Sequence, residues 1–228
     1  MKKLLFFILI IITSQLCTGQ ESEDETTGNS EFREVTIAKK TLRQIAKDYF
    51  RSDPFNGEFG EFLRHLINDP TLINKTISQR TDTNFFYMRG EYKTHHPFFF
   101  KAKRTQVIVA ESEEKLIDSL PKLDTIITYQ LAGYSDGILH GEADVKQEFE
   151  KFHSRYKKKF PGSSFIELKN GNNVYGGIYN YFILSEGFAP LSVAWQKIEK
   201  ASECVFVITF RFRVSENVAI LPAPSNSF

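Results

Sequence analysis

The chain has 228 residues, of which 41% are hydrophobic and 25% charged, and its formal net charge is +1 at neutral pH. This composition is typical of globular proteins and excludes fibrous and predominantly disordered classes. The nearly balanced charge gives no indication of a nucleic-acid-binding surface, so we expect no nucleic-acid partner.

Residues 1–19 have the order of a secretory signal peptide. Two lysines begin it, an apolar run from Leu4 to Ile12 follows, and small residues ending at Gly19 are typical of a cleavage site. Because spanning a bilayer takes roughly 20 apolar residues, we expect cleavage after Gly19 and no membrane span. Lipid attachment at Cys17 is the less favoured alternative, since no lipobox precedes it. The sequence therefore predicts a secreted or periplasmic protein, compatible with a bacterial source.

The rest of the chain divides by composition into a tether, a globular region and a tail. The tether carries six acidic residues, one arginine and almost no apolar side chain, which is typical of disorder. The globular region forms either one domain or two halves, and the tail is rich in proline and serine. The bounds are 20–34 for the tether, 35–221 for the globular region with halves at 35–133 and 141–221, and 222–228 for the tail.

The first half begins with helical spacing and continues with alternation. Apolar residues at helical intervals predict helices over 37–51 and 57–68, each ended by an Asp-Pro pair. Alternating residues then predict four strands, with a short helix near 113–120 between the last two. The predicted strands are 72–80 and 85–92, which form a hairpin, and 106–110 and 125–131.

The second half contains the clearest helix, predicted over 142–160. Its apolar side chains share one helical face, and Pro161 ends it. They are Val145, Phe149, Phe152, Tyr156 and Phe160. Four strands with short connections follow, which predicts an antiparallel meander. These strands are 164–169, 174–184, 191–198 and 204–214.

Each half therefore runs helix first and then about four strands. This order predicts an α+β fold in which helices pack on curved antiparallel sheet, cystatin-like or NTF2-like by element order only. No residue motif supports either likeness, and such scaffolds host many unrelated activities. The fold prediction therefore implies no function.

Two pairs of residues are candidates for ligand binding. Arg211 and Arg213 share a face of the last strand, about 7 Å apart, opposite an apolar face that we assign to the core. Paired arginines on a water-facing surface suit an anionic group, although solvated arginines that protect a strand edge are the alternative. Tyr179 and Tyr181 share a face of a companion strand and suit a sugar ring or peptide, unless helices cover them. If all four lie on one face, they predict a site for an acidic glycan or peptide.

The indications of catalysis or metal binding are weaker. Asp136 and His140 lie in a predicted loop before the long helix, where a histidine and an acid could exchange protons. The adjacent His95 and His96 would point to opposite faces of a strand and could not readily chelate one ion. Cys204, the only cysteine outside the signal peptide, opens an apolar strand and is expected to be buried. We therefore assign no cofactor and no metal site.

These observations favour an exported, non-catalytic binding or interaction protein of the bacterial cell envelope or extracellular space. Its partner would be a protein, a peptide or a glycan. A secreted hydrolase using His140 and Asp136 is one alternative. A structural or protective partner protein is another.

Overall fold

A computed structural model describes residues 27–51, 59–80, 85–93, 102–114, 124–136, 138–183, 188–198 and 201–213. Within these ranges the chain has three α-helices and eight strands that form one antiparallel sheet, so the predicted α+β class is confirmed. The expected signal peptide, the tail at 222–228 and the His95-His96 pair lie outside the described residues. None of the described helices is long and apolar enough to cross a membrane.

The helices are α1 (Thr27–Tyr49), α2 (Phe59–Asn68) and α3 (Ile138–Tyr156), and a short 3₁₀ turn, Lys157–Lys159, follows α3. The first four strands are β1 (Leu72–Arg80), β2 (Phe85–Tyr92), β3 (Arg104–Glu114) and β4 (Asp124–Asp136). The last four are β5 (Gly162–Asn170), β6 (Asn173–Phe182), β7 (Leu191–Ile198) and β8 (Glu203–Arg213).

The sheet has the strand order β1-β2-β3-β4-β8-β7-β6-β5. Strands β1 to β4 form one meander and β5 to β8 another. The two meanders meet where β4 pairs with β8 from Ile126↔Arg213 to Asp136↔Glu203. The order therefore places β4 and β8 at the centre of the sheet and leaves β1 and β5 as its two edges.

All three helices contribute to a single apolar core on one face of the sheet, which we call the helix side. The ring of Phe50, just after α1, lies 5.0 Å from that of Phe210 on β8. Phe62 of α2 contacts Tyr129 of β4 edge-on, and Phe152 of α3 contacts Phe206 of β8 in the same way. Burial of these rings is the main favourable contribution to folding. The five apolar residues predicted to share one helical face are all buried, although Phe160 lies beyond the end of α3.

Several element bounds differ from those predicted, and the largest differences are at the ends of α1, α3, β3 and β4. Helix α1 begins at Thr27 rather than near Ile37, so it starts before the apolar stripe. Arg33 and Glu34 are exposed, and the first buried apolar residue of the helix is Ala38. Residues 27–34, predicted as disordered tether, are therefore helical. Helix α3 begins at Ile138 rather than Glu142. Strand β3 continues to Glu114 because its polar end pairs with β4 down to Asp124, so the short helix predicted near 113–120 does not begin at Glu113.

Candidate binding surface

The two predicted ligand-binding pairs lie on opposite faces of the sheet. Tyr181 is aligned with Leu191, and Leu191 with Phe210, so Tyr181 is on the helix side. Arg211 follows Phe210 and therefore points to the other face, because neighbours on a strand alternate. The expectation that the arginines and tyrosines share one face is wrong. Alternation within each strand was readable from the sequence, but the register between strands was not.

Arg211 is also buried rather than open to water, with only 8% of its surface exposed. Its guanidinium carbon lies 5.1 Å from the centre of the Phe188 ring, and its backbone N–H donates to Pro190 O at 2.9 Å. Arg213 shares this face by register, and its side chain is outside the described residues. The predicted open anion site on β8 is therefore not formed by Arg211, because a central strand can bury polar residues on both faces.

Neighbouring polar side chains on this face are buried with Arg211. Thr209 accepts a hydrogen bond from the Gln130 side-chain amide at 3.2 Å, and Thr128, beside Arg211 on β4, is also buried. Such hydrogen bonds offset the cost of removing polar groups from water. The polar end of β8 is therefore part of the folded interior.

The two tyrosines pack against α3 through a histidine that sequence reasoning missed. The His153 ring stacks on Tyr179, with centroids 3.6 Å apart and planes 10° from parallel. Its Nδ1 lies 3.1 Å from the Tyr181 hydroxyl oxygen. The one sequence signal for this contact was the position of His153, four residues after Phe149 on the same helix.

The electrostatics determine the protonation states of the two groups in the His153–Tyr181 hydrogen bond. Burial raises the pKa of Tyr181 well above its ordinary value, so its hydroxyl stays protonated. Desolvation and the nearby Lys157 lower the pKa of His153, with Glu150 acting in the opposite direction. The neutral imidazole and the protonated hydroxyl therefore share one hydrogen bond through Nδ1. This bond fixes the ring orientation of His153.

Phe165 on edge strand β5 extends this aromatic group to the surface. It is 50% exposed, the most exposed large apolar side chain among the described residues. Its ring centre lies 4.8 Å from that of Tyr179. A Cβ at Gly177 would lie 2.9 Å from the Phe165 ring and from Trp195 Nε1, so glycine is required for the ring to lie over β6. We call Phe165, Tyr179 and His153 together the aromatic surface.

Charges of both signs lie around the aromatic surface. Glu150 and Lys157 act on the His153 pKa in opposite directions, and Glu167 and Lys169 on β5 pair at 2.6 Å. The arginines that suggested an acidic ligand are on the other face. The aromatic surface therefore suits a neutral ligand better than an acidic one.

A cleft of about 640 Å³ lies on another side of α3. Its lining includes the aromatic rings of Tyr49, Phe152 and Phe206 and the charged Lys151 and Arg155. Its two basic groups already have protein partners. Lys151 donates to Glu148 Oε1 at 2.8 Å, and a hydrogen bond with Tyr49 raises the Arg155 pKa. The aromatic surface is therefore the stronger candidate.

The candidate catalytic residues, Asp136 and His140, do not lie in a loop. Asp136 ends β4 and His140 lies in the first turn of α3, with one residue between the two elements. Their side chains are outside the described residues. The predicted loop is absent because α3 starts four residues earlier than expected.

Nearby, Glu142 forms an ion pair that links α3 to β7. Its carboxylate accepts hydrogen bonds from Lys146 and Lys197, both at 2.7 Å. Although partial burial favours the neutral acid, these two lysines lower the pKa of Glu142 overall. Glu142 therefore stays ionised and stabilises the packing of α3 rather than acting as a proton donor.

Two smaller predictions concern thiol and metal chemistry. Cys204 is fully buried, as its apolar strand indicated, and burial raises the pKa of its thiol. Within the described ranges, no three histidine, cysteine or acidic side chains are grouped so that they could hold a metal ion.

Comparison of the chain with protein-family models, with curated proteins and with solved structures found no match.

Proposed function

We propose that this chain is an exported binding protein of a bacterial envelope or extracellular space, and that its aromatic surface binds a neutral saccharide. The observation that carries this proposal is the half-exposed Phe165 ring packed beside the stacked pair of Tyr179 and His153. Aromatic faces bind apolar surface, and the hydroxyl and ring N–H at their edges form hydrogen bonds. Both features complement a sugar ring.

The aromatic surface is organised before any ligand arrives. The Tyr181 hydroxyl holds His153, His153 stacks on Tyr179, and Gly177 leaves the space in which Phe165 lies. Rings that are already ordered lose little conformational entropy on binding, which favours affinity. The presence of both charge signs around the surface, with Arg211 on the other face of the sheet, supports a neutral saccharide over the acidic glycan or peptide that the sequence suggested.

The test is titration of the mature protein with neutral and acidic oligosaccharides, followed by isothermal calorimetry of those that bind. Phe165→Ala should weaken binding of a neutral oligosaccharide at least about tenfold, or about 1.4 kcal/mol. Ile77→Ala is the matched control, because Ile77 is 46% exposed on the other edge strand. Absence of binding to all neutral oligosaccharides, or equal affinities for wild type and Phe165→Ala, would reject the proposal.

Export is a separate part of the proposal and depends on residues 1–19 alone. The mature protein should begin at Gln20 and carry no lipid. Intact-mass measurement of the protein recovered from the envelope or medium tests this. A species beginning at an acylated Cys17, or one that retains Met1, would contradict it.

We also infer that each half of the chain is a helix-then-strands unit of the cystatin-like or NTF2-like kind. Support comes from the element order, in which four strands follow α1 and α2 and four more follow α3. This inference concerns architecture only and adds nothing to the functional proposal.

A further inference from the structure

The two edges of the sheet differ in how they are protected. On β1 the pairing with β2 is irregular between Ile73 and Thr76, and Asn74 has a positive φ of 53°. Lys75 folds back and donates to the main-chain oxygens of Ile67 and Asp69 at 2.6 and 2.7 Å. Irregularities of this kind bend an edge strand away from partners and so hinder pairing with another chain.

Within the described part of the chain, strand β5 has no such protection. It runs for nine residues, most of them exposed, and none has a positive φ. The irregularity in its pairing with β6 places the extra residue, Tyr175, in β6 and not in β5. An unpaired, regular edge strand presents a row of backbone donors and acceptors that can pair with another strand.

The side chains of β5 select one kind of partner. Glu167 and Lys169 lie on either side of Leu168, and both are exposed. If two copies of β5 pair antiparallel about Leu168, Glu167 of each copy stands opposite Lys169 of the other. Pairing about Glu167 or Lys169, or parallel pairing in register, would instead place like charges opposite each other, which destabilises a strand pair. The strand is therefore self-complementary in this one register.

The open space at the end of β5 is compatible with this register. Pairing about Leu168 places Phe165 of each copy opposite Gly171 of the other. A Cβ placed at Gly171 would meet no atom within 4 Å, so the turn there is open. In this dimer the Glu167–Lys169 ion pair within each chain is replaced by ion pairs between the two chains. Loss of the internal pair costs little, because exposed ion pairs contribute little to stability.

We propose that β5 is the interface of a homodimer in which two copies pair antiparallel about Leu168. The sheets join into one continuous sheet of sixteen strands, twice the eight described in one chain. The two-fold axis of such a pair is perpendicular to the sheet, so both helix sides face the same way. The two aromatic surfaces then lie on one side of the dimer, where both can engage a single extended saccharide and gain avidity.

Sedimentation velocity of the mature protein over a wide concentration range is the test, with charge-reversal variants. Glu167→Lys alone and Lys169→Glu alone each put like charges opposite each other, and each should raise the dimer dissociation constant at least about tenfold. The double variant carrying both changes restores opposite charges and should dimerise like wild type. An equimolar mixture of the two single variants should form a heterodimer for the same reason.

A wild-type chain that is monomeric at every concentration would overturn the dimer. Single variants that dimerise like wild type would show that another surface is used and would overturn it too. Circular dichroism of each variant distinguishes loss of dimer from loss of fold, and the restored dimer of the double variant is a second check. Because Phe165 lies on β5, Phe165→Ala is scored for dimerisation as well as for saccharide binding. A dimer that binds no saccharide would reject the proposed function alone, and a monomer that binds saccharide would reject the dimer alone.

Discussion

The two faces of central strand β8 are both buried, but they are built from different chemistry. On the helix side its side chains join the main core, through Phe206, Ile208, Phe210 and Phe212. On the other face, Val205 and Val207 belong to a smaller apolar cluster, and Thr209 and Arg211 continue as polar groups. The difference shows that alternation of apolar and polar residues identifies the core face reliably. It does not show that the polar face is exposed.

The largest effect should come from the helix side. Phe152→Ala removes a buried ring that contacts Tyr49, Tyr156 and Phe206. We expect the free energy of unfolding to fall by about 3–5 kcal/mol. Chemical denaturation measures it, with Lys151→Ala on the exposed side of α3 as control, expected within about 0.5 kcal/mol. Equal effects in both variants would mean that the two sides of α3 are wrongly assigned.

A smaller but clear effect is expected on the opposite face. Arg211→Ala removes a buried side chain and its contact with Phe188, and should cost about 1–3 kcal/mol through lost packing and cation–π attraction. Arg64→Ala is the matched control, because that arginine is 65% exposed and its ion pair with Glu61 is on the surface. Equal urea midpoints for Arg211→Ala and Arg64→Ala would contradict this expectation. They would mean that the buried Arg211 side chain contributes no more to stability than an exposed arginine does.

The smallest effect concerns the one histidine in the helix-side aromatic group. The pKa of His153 lies below its ordinary value of 6.5, so between these two values the unfolded chain binds more protons than the folded one. The contribution of neutral His153 to the free energy of unfolding is therefore complete above pH 6.5. It is lost as the pH falls through the pKa of His153 in the folded protein.

Denaturation of wild type and His153→Phe across this pH range measures the effect. The phenylalanine ring retains the stacking on Tyr179 but cannot titrate. The unfolding free energy of His153→Phe should therefore change less with pH than that of wild type. Identical pH slopes would show that His153 does not contribute the proton linkage.

Local patterns determined most of the secondary structure. Strands β1, β2 and β7 have the bounds that their alternation predicts. Each is an alternating run bounded by turn residues or by the residues that end the preceding helix. The apolar face of α3 was likewise readable from its spacing. The ends of α1 and β3 were not, because exposed helical turns and paired polar strand ends satisfy their backbone without an apolar signal.

The candidate site was less predictable. Tyr179 was identified as an aromatic residue on the correct strand, but its partners His153 and Phe165 come from α3 and β5. No local pattern states that these residues meet, since their contact depends on the register of β5 and β6 and on where α3 crosses the sheet.

The sequence by itself therefore determined the α+β class, the inner face of α3, the apolar side of β8 and the buried state of Cys204, because each depends on periodicity within one element. Only the tertiary structure decided that Tyr181 and Arg211 are on opposite faces, that Arg211 is buried and that β5 is an edge. These facts depend on which strands are neighbours and in which register. Strand pairing is set by the summed packing of the whole sheet, and residues distant in the chain contribute to it equally with near ones.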